Sequence, residues 1–230
     1  MEILKNGFTL ELCPGAFPLS TDSVALAHFV QAHPSDKVLD LGSGCGSLGL
    51  MLCARYDKLQ VTGVEIDENA HLQALKNAER NGISNRLTSI CADVATFPVQ
   101  AGGFSVCISN PPYFTGGPDS QKTPVARKEN TFSLETLFSV ASQALKYGGD
   151  FYIVHRPERL AEIFAKASAQ KLEPKKLQLL RHRENGPVSL VLVHCKKGGK
   201  PGLVWQEEFL YHADGTPSSY FHNLYHDQEG

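Results

Sequence analysis

No stretch of the 230-residue chain holds the roughly 18 consecutive apolar residues that a membrane-spanning helix needs. The six cysteines (13, 45, 53, 91, 107 and 195) contain no C-x-x-C pair, so the sequence offers no paired-cysteine zinc site. The nine histidines contain no H-E-x-x-H, which removes a common zinc-hydrolase signature, and no metal site is expected. Internal repeats and low-complexity tracts are absent. The opening residues, MEILKNGFTLELCPG, are too acidic and too interrupted for a secretory signal. Four of the cysteines lie in or beside core-like segments, where a free thiol packs as a small hydrophobe. These absences lead to the expectation of a cytoplasmic protein in a reducing compartment.

What is present is an alternation of short β-branched runs and helical patterns. KVLDL (37–41), QVTGVEI (60–66), RLTSICA (86–92), FSVCISN (104–110), DFYIVH (150–155), KKLQLLRH (175–182) and PVSLVLVHC (187–195) read as seven strands. Between them, 47–56, 68–82, 133–149 and 156–170 carry helical spacing, with glycines expected to stop the third and Pro157 to open the fourth. The rhythm predicts a mostly parallel α/β sheet with helices on both faces. Only a short Gly-Pro turn separates the last two strands, so an antiparallel edge strand is expected. Residues 1–36 are expected to be a lead-in of short strands and a helix packed on a catalytic domain of 37–230. The longest irregular stretch is 114–130, a length that usually means function or disorder.

Charge is split along the chain. Residues 1–120 hold 7 Lys/Arg and 12 Asp/Glu, a balance of −5, whereas 146–200 hold 12 Lys/Arg and 5 Asp/Glu, a balance of +7. A basic half can be a phosphate-facing surface, or simply the solvated side of surface helices.

VLDLGSGCGSLGL places Gly42, Gly44 and Gly46 between a strand and a helix. There the backbone can turn sharply and approach a ligand, and the helix N-terminus favours an anionic group. Glu65 ends the next strand, 21 residues after Gly44, where a carboxylate can accept from ribose hydroxyls. A dinucleotide fingerprint would need glycine at 47; the sequence has Ser47, which disfavours a nicotinamide oxidoreductase. The G-x-G-x-G spacing, preceded by Asp40, resembles the first motif of S-adenosylmethionine-dependent methyltransferases. That resemblance implies S-adenosyl-L-methionine as cofactor and S-adenosyl-L-homocysteine as product. It implies that the 42–46 loop wraps the methionine part, Glu65 holds the ribose, Asp93 accepts from the adenine amino group and Val94 pairs a ring nitrogen. Asp93 also reads as an ordinary turn residue before VATF.

ISNPPYF (108–114) ends a strand on Asn110 and follows it with two prolines, which cannot continue a central strand. The result is a stiff, extended tip at a strand's carboxyl end, where open α/β sheets place their chemistry. An exocyclic amino nitrogen is a poor nucleophile because its lone pair is delocalised. Acceptors for both its hydrogens, the Asn110 side chain and the Pro111 carbonyl, would favour a pyramidal nitrogen aimed at a methyl donor. Pro112 helps to fix their spacing. Tyr113 offers a π face for a flipped base.

Asn110-Pro111-Pro112-Tyr113 resembles the Asn/Asp-Pro-Pro-Tyr amino-methyltransferases, which act on adenine N6, cytosine N4 or a glutamine amide. Further segments widen the match: NGFTLELCPGAFPLSTDSVALAHFV (6–30), ARKENTFSLETLF (126–138) and the tail GGKPGLVWQEEFLYHADGTPSSYFHNLY. With them the chain resembles the bacterial tRNA (adenine-N6) methyltransferase family that modifies valine tRNA next to the anticodon. The resemblance implies a Rossmann-like, class I methyltransferase fold with a seven-stranded sheet, and a role for Thr21 in closing over the cofactor. Ser20-Thr21-Asp22 equally reads as a helix N-cap. It also implies tRNA as partner. Candidate contacts are Phe114, Lys122, Arg127 and Lys128 after the tip, with Arg181, Arg183, Lys196 and Lys197 from the basic half. Rival readings are protein glutamine methylation, methylation of rRNA or DNA amino groups, and a non-catalytic cofactor- or RNA-binding module. His155 and His194 are expected to be structural.

Overall fold

Valine, isoleucine and leucine runs buried on both faces are what a central parallel sheet requires, and such runs form the middle of the molecule. The computed structural model describes residues 2–4, 7–13, 19–113 and 133–225. A two-stranded antiparallel hairpin, β1 (Glu2–Ile3) with β2 (Thr9–Leu10), precedes α1 (Thr21–Phe29). Then come β3 (Lys37–Leu41), α2 (Ser47–Arg55), β4 (Gln60–Glu65), α3 (Glu68–Arg80), β5 (Leu87–Cys91) and β6 (Phe104–Ser109). Beyond the 114–130 stretch, which lies outside the described residues, follow α4 (Leu134–Ala144), β7 (Leu145–His155), a 3-10 turn (Pro157–Arg159) and α5 (Leu160–Ala169). The described residues finish with β8 (Leu172–Arg183), β9 (Val188–Lys197), β10 (Val204–Tyr211) and α6 (Ser219–Tyr225).

The main sheet has eight strands in the order β10-β8-β9-β7-β6-β3-β4-β5. All run parallel except β9, which pairs antiparallel with both β7 and β8. Two expectations are corrected here. The antiparallel strand is interior, because the hairpin from β8 folds β9 back into the gap beside β7. The outer edge belongs to an eighth strand, β10, parallel to β8. Its central Glu207 and Glu208 weaken the strand pattern, yet charge on an edge is how sheets discourage further pairing. The expected third helix also ends early. Leu145 caps α4 and begins β7, so Gly148 and Gly149 lie within the strand, beyond a register shift between Phe104 and Val106 of β6.

Strand alternation divides the core. Val38, Val106, Ile108, Tyr152 and Val154 face α1, α2 and α6, while Leu39, Cys107, Phe151 and Ile153 face α4 and α5. Each large apolar side chain buried this way contributes about 1.5–3 kcal/mol. The lead-in is tied to this body by Asn77 of α3, which is fully buried. Its Oδ1 accepts from the Glu11 N–H at 3.1 Å, and its Nδ2 donates to the Glu11 and Cys45 carbonyls at 2.8 and 2.9 Å. One side chain thereby fixes β2's exit against the loop that follows β3. No described helix is long and apolar enough to cross a membrane.

Candidate active site

The chain moves outward from β3 to β4 to β5, then returns to β6 on the other side of β3. Ligands of open α/β sheets bind where the order reverses in this way. Asp40 pairs across to Gly63 of β4 and to Ile108 of β6, so Asp40, Glu65 and Asn110 come together at adjacent carboxyl ends.

Gly42, Gly44 and Gly46 have φ of 76°, 54° and 83°, in the left-handed region where a side chain costs roughly 1–2 kcal/mol. Gly46 is also the N-cap of α2, with no side-chain cap, and leaves the first N–H groups of that helix pointing towards the loop. Glu65 braces the loop: Oε2 accepts from the Gly44 N–H at 2.8 Å and Oε1 from the Asp67 N–H at 2.9 Å. Beneath lies Asp40, fully buried, with neither carboxylate oxygen hydrogen-bonded. Ser43 Oγ is buried and unpartnered as well. A Cβ on Gly63 would lie 2.5 Å from that oxygen, so glycine is what lets the loop sit so close to β4. Orphaned buried polar atoms are rare in folded proteins, and three at one loop mark a place built for a polar ligand.

Burial, with Glu65 adding repulsion, pushes the Asp40 carboxyl up to about 8. Between its ordinary value near 4 and that value, the unfolded chain has released the proton and the folded chain retains it. Stability therefore falls as pH rises through this window, by up to about 1.4 kcal/mol per pH unit. Asp40→Asn is expected to flatten the dependence and to be more stable than the parent at pH 7.5 by a few kcal/mol. Urea unfolding from pH 5 to 8 measures this, and parallel curves for the two proteins would contradict it.

Asn110 is half-buried at the tip of β6, and Ser109 ties that tip to β3 by donating to the Leu41 carbonyl at 2.8 Å. Asn110 Nδ2 donates to Ser23 Oγ of α1 at 2.9 Å, and Asn110 Oδ1 accepts from the Tyr113 hydroxyl at 3.2 Å. Pro111 is buried and Pro112 exposed. The Tyr113 ring lies 5.0 Å from the His155 ring and 5.0 Å from the Arg156 guanidinium. Burial raises the Tyr113 phenol above its ordinary range, with Asp22 beside it adding to the effect. Burial, with Arg159 adding repulsion, lowers His155 to about 4, and its Nδ1 accepts from the Arg156 N–H at 2.8 Å. His155 is thus a neutral packing partner at neutral pH. His194 bonds Asp150 at 2.7 Å and stacks on Tyr152.

Thr21 opens α1 and its Oγ1 lies 3.1 Å from the Tyr225 hydroxyl, while Ser20 is the N-cap. Asp93 Oδ1 accepts from the Ala95 N–H at 2.8 Å, an Asx turn that leaves Val94 buried against the α4 side of the core. Arg181 and Arg183 end β8 at the same edge as Asn110; Arg181 bonds the Gly186 carbonyl and Glu207. Lys196 and Lys197 lie at the other end of the sheet. β9 runs backwards, so Lys196 pairs with Asp150, five residues before His155 and about 17 Å away along the strand at ~3.3 Å per residue. Their amines bond Asp150 and the Ser142 and Leu145 carbonyls, which end α4. As contacts for a substrate at Asn110 these two are corrected: their partners are structural. Phe114, Lys122, Arg127 and Lys128 lie outside the described residues. Ser23, Arg156 and Arg159 were not singled out from sequence, though Arg156-Pro157 directly follows a strand end. Among the described residues no three His, Cys, Asp or Glu side chains form a metal-holding group. The one H-x-x-x-H of the chain, His222 and His226, has its second histidine outside them.

The methyltransferase small domain family matches residues 18–173. A tRNA1(Val) (adenine(37)-N6)-methyltransferase of Shewanella halifaxensis is 32% identical over 159 residues, 67% of this chain and 64% of that protein. One from Bacteroides fragilis is 31% identical over 183 residues, 77% of this chain and 76% of that protein. Among solved structures, a predicted O-methyltransferase of Agrobacterium tumefaciens superposes with a TM-score of 0.74 at 22% identity, covering 89% of this chain and 95% of that one. A geranyl diphosphate C-methyltransferase of Streptomyces coelicolor, solved with S-adenosyl-L-homocysteine, gives 0.56 at 16% identity, with 75% and 77% covered. At these identities the solved structures speak to fold alone.

Proposed function

Because the chain belongs to the methyltransferase small domain family, we propose that it transfers a methyl group from S-adenosylmethionine to the exocyclic N6 amino group of an adenine in tRNA. The observation that carries this reading is the Asn110 amide. It sits on a proline-stiffened tip at the sheet's switch point, beside a glycine loop with orphaned buried oxygens.

The residues present fit the cofactor. The 42–46 loop offers backbone groups at close approach, Glu65 a carboxylate for hydroxyls, and Asp40 and Ser43 polar atoms without protein partners. Asp93 and Val94 would serve the adenine end. S-adenosylmethionine, when bound, supplies an electrophilic methyl on a cationic sulfonium. Asn110 Oδ1 and the Pro111 carbonyl accept the two amino hydrogens, so the nitrogen's lone pair is freed from the ring and directed towards that methyl. Little reorganisation is needed, because the prolines set the acceptors in advance. No strong base is assigned, since an alkylated amino nitrogen is acidic enough to lose its proton to water. Tyr113, with His155 and Arg156 each 5.0 Å from its ring, supplies an aromatic face against which an extruded base stacks.

An RNA strand brings phosphates to the mouth, where Arg156 and Arg159 follow β7, the neighbour of β6, and Arg183 ends β8 on the same side of the sheet. Binding of tRNA is expected to weaken with added salt, with a log–log slope of about −2 or steeper. A flat salt response in a filter-binding titration would remove nucleic acid as partner and favour the glutamine-amide reading. A tRNA substrate also places the protein in the cytoplasm.

A further inference from the structure

We propose that Ser23 is a positioning residue for methyl transfer: its hydroxyl holds the Asn110 amide in the place from which the carbonyl oxygen meets the amino group to be methylated. The inference rests on the reading of Asn110 as an acceptor and asks what holds it there. The last torsion of an asparagine side chain is broad, so the stiff backbone of the tip does not by itself fix the amide plane. An amide free to turn would carry its oxygen off the line on which the amino hydrogen lies.

Two contacts fix the amide plane in this structure. Tyr113 donates to Oδ1 at 3.2 Å, and Nδ2 donates to Ser23 Oγ at 2.9 Å. They are not equivalent during turnover. The Tyr113 hydroxyl shares the carbonyl with the incoming amino hydrogen, and its ring has to meet the base. The Ser23 contact is to Nδ2, the end of the amide away from the carbonyl oxygen that the substrate needs. Ser23 is therefore the contact that persists while the nitrogen is being methylated.

Ser23 is itself well placed to act as a fixed reference. It lies in the first turn of α1, 87 residues from Asn110, and its own N–H donates to the Ser20 cap at 3.4 Å. The helix is tied at its far end by Arg55, whose guanidinium donates to the Ala27, His28 and Val30 carbonyls. It is tied at its near end by the Tyr225 hydroxyl on Thr21. Its own Val24, Ala25, Leu26 and Ala27 are buried against the body of the protein. A hydroxyl on a helix held at both ends can hold an amide on β6.

The test is steady-state and single-turnover kinetics on Ser23→Ala, Ser23→Thr and Asn110→Ala, with S-adenosylmethionine affinity measured on each by calorimetry. Ser23→Ala is expected to lower kcat about 10- to 100-fold, the scale of a misplaced catalytic group. The KM for tRNA and the cofactor Kd should stay within about threefold, and Ser23→Thr, which keeps the hydroxyl, should recover most of the rate. Parental kcat in Ser23→Ala would overturn the assignment. So would an equal loss of cofactor affinity, which would mean that Ser23 only supports α1. If Asn110→Ala is inactive while Ser23→Ala is unimpaired, only the role of Ser23 falls. If Asn110→Ala turns over normally, the reading of the tip falls and takes Ser23 with it.

Discussion

Asn110→Ala is expected to lower kcat by about 100- to 1000-fold, the usual cost of removing one preorganised hydrogen-bonding group aimed at a transition state. The loss should fall on turnover and not on cofactor binding. The hydrogen bonds of Asn110 go to Ser23 and Tyr113, whereas the glycine loop is braced by Glu65 and Asn77. The cofactor Kd should change by less than about threefold, and thermal stability by little, because the side chain is half-buried and its partners can turn to water. Asn110→Asp is a sharper variant. It keeps the shape and an acceptor towards the substrate but replaces the donor that faces Ser23, so intermediate activity is expected. Full turnover in Asn110→Ala, measured with saturating cofactor and tRNA, would refute the role given to the tip.

The second large effect is expected at Glu65. Its two oxygens hold the Gly44 and Asp67 N–H groups at 2.8 and 2.9 Å, so the carboxylate sets the shape of the loop. Hydrogen bonds to a charged group each contribute about 1.5–3 kcal/mol. Losing both in Glu65→Ala is expected to weaken S-adenosylmethionine binding by at least about 100-fold, before any contact with the ribose is counted. Glu65→Gln retains one acceptor oxygen and should fall between. Calorimetric titration reads both, and a Kd within threefold of the parent in Glu65→Ala would show that the loop keeps its shape by other means.

Much of this site could be read from residues alone, and the reason is local. Glycines with positive φ, a strand-terminal carboxylate and paired prolines each carry a backbone requirement that few other residues meet. The strands ending at Leu41, Glu65 and Ser109 likewise announced themselves through continuous apolar runs. What escaped depends on long-range pairing. Lys196 and Lys197 looked like a phosphate-binding cluster because composition records their number but not the direction of β9. β10 was missed because Glu207 and Glu208 interrupt its pattern, which an edge strand tolerates. The helical pattern over 133–149 runs past the helix's end, because Gly148 and Gly149 read as a stop whereas Leu145 already pairs with Phe104. Ser23 and Arg156 reach the tip only once α1 and the end of β7 are brought to it in space; they stand 87 and 43 positions in sequence from Asn110 and Tyr113, the residues they contact.

Asp40 shows the same tension between stability and function from another side. A buried carboxyl with two unpartnered oxygens destabilises the fold at neutral pH. Its place directly before the glycine loop sets that cost beside the candidate site, where strain of this kind is tolerated.

Mass spectrometry of nucleosides from tRNA incubated with the purified protein and S-adenosylmethionine tests the central claim most directly. The account predicts N6-methyladenosine formed by the parent and lost in Asn110→Ala, with cofactor binding retained in both. Tight cofactor binding with no methylated adenosine, or with the methyl group found on a glutamine side chain instead, would contradict it.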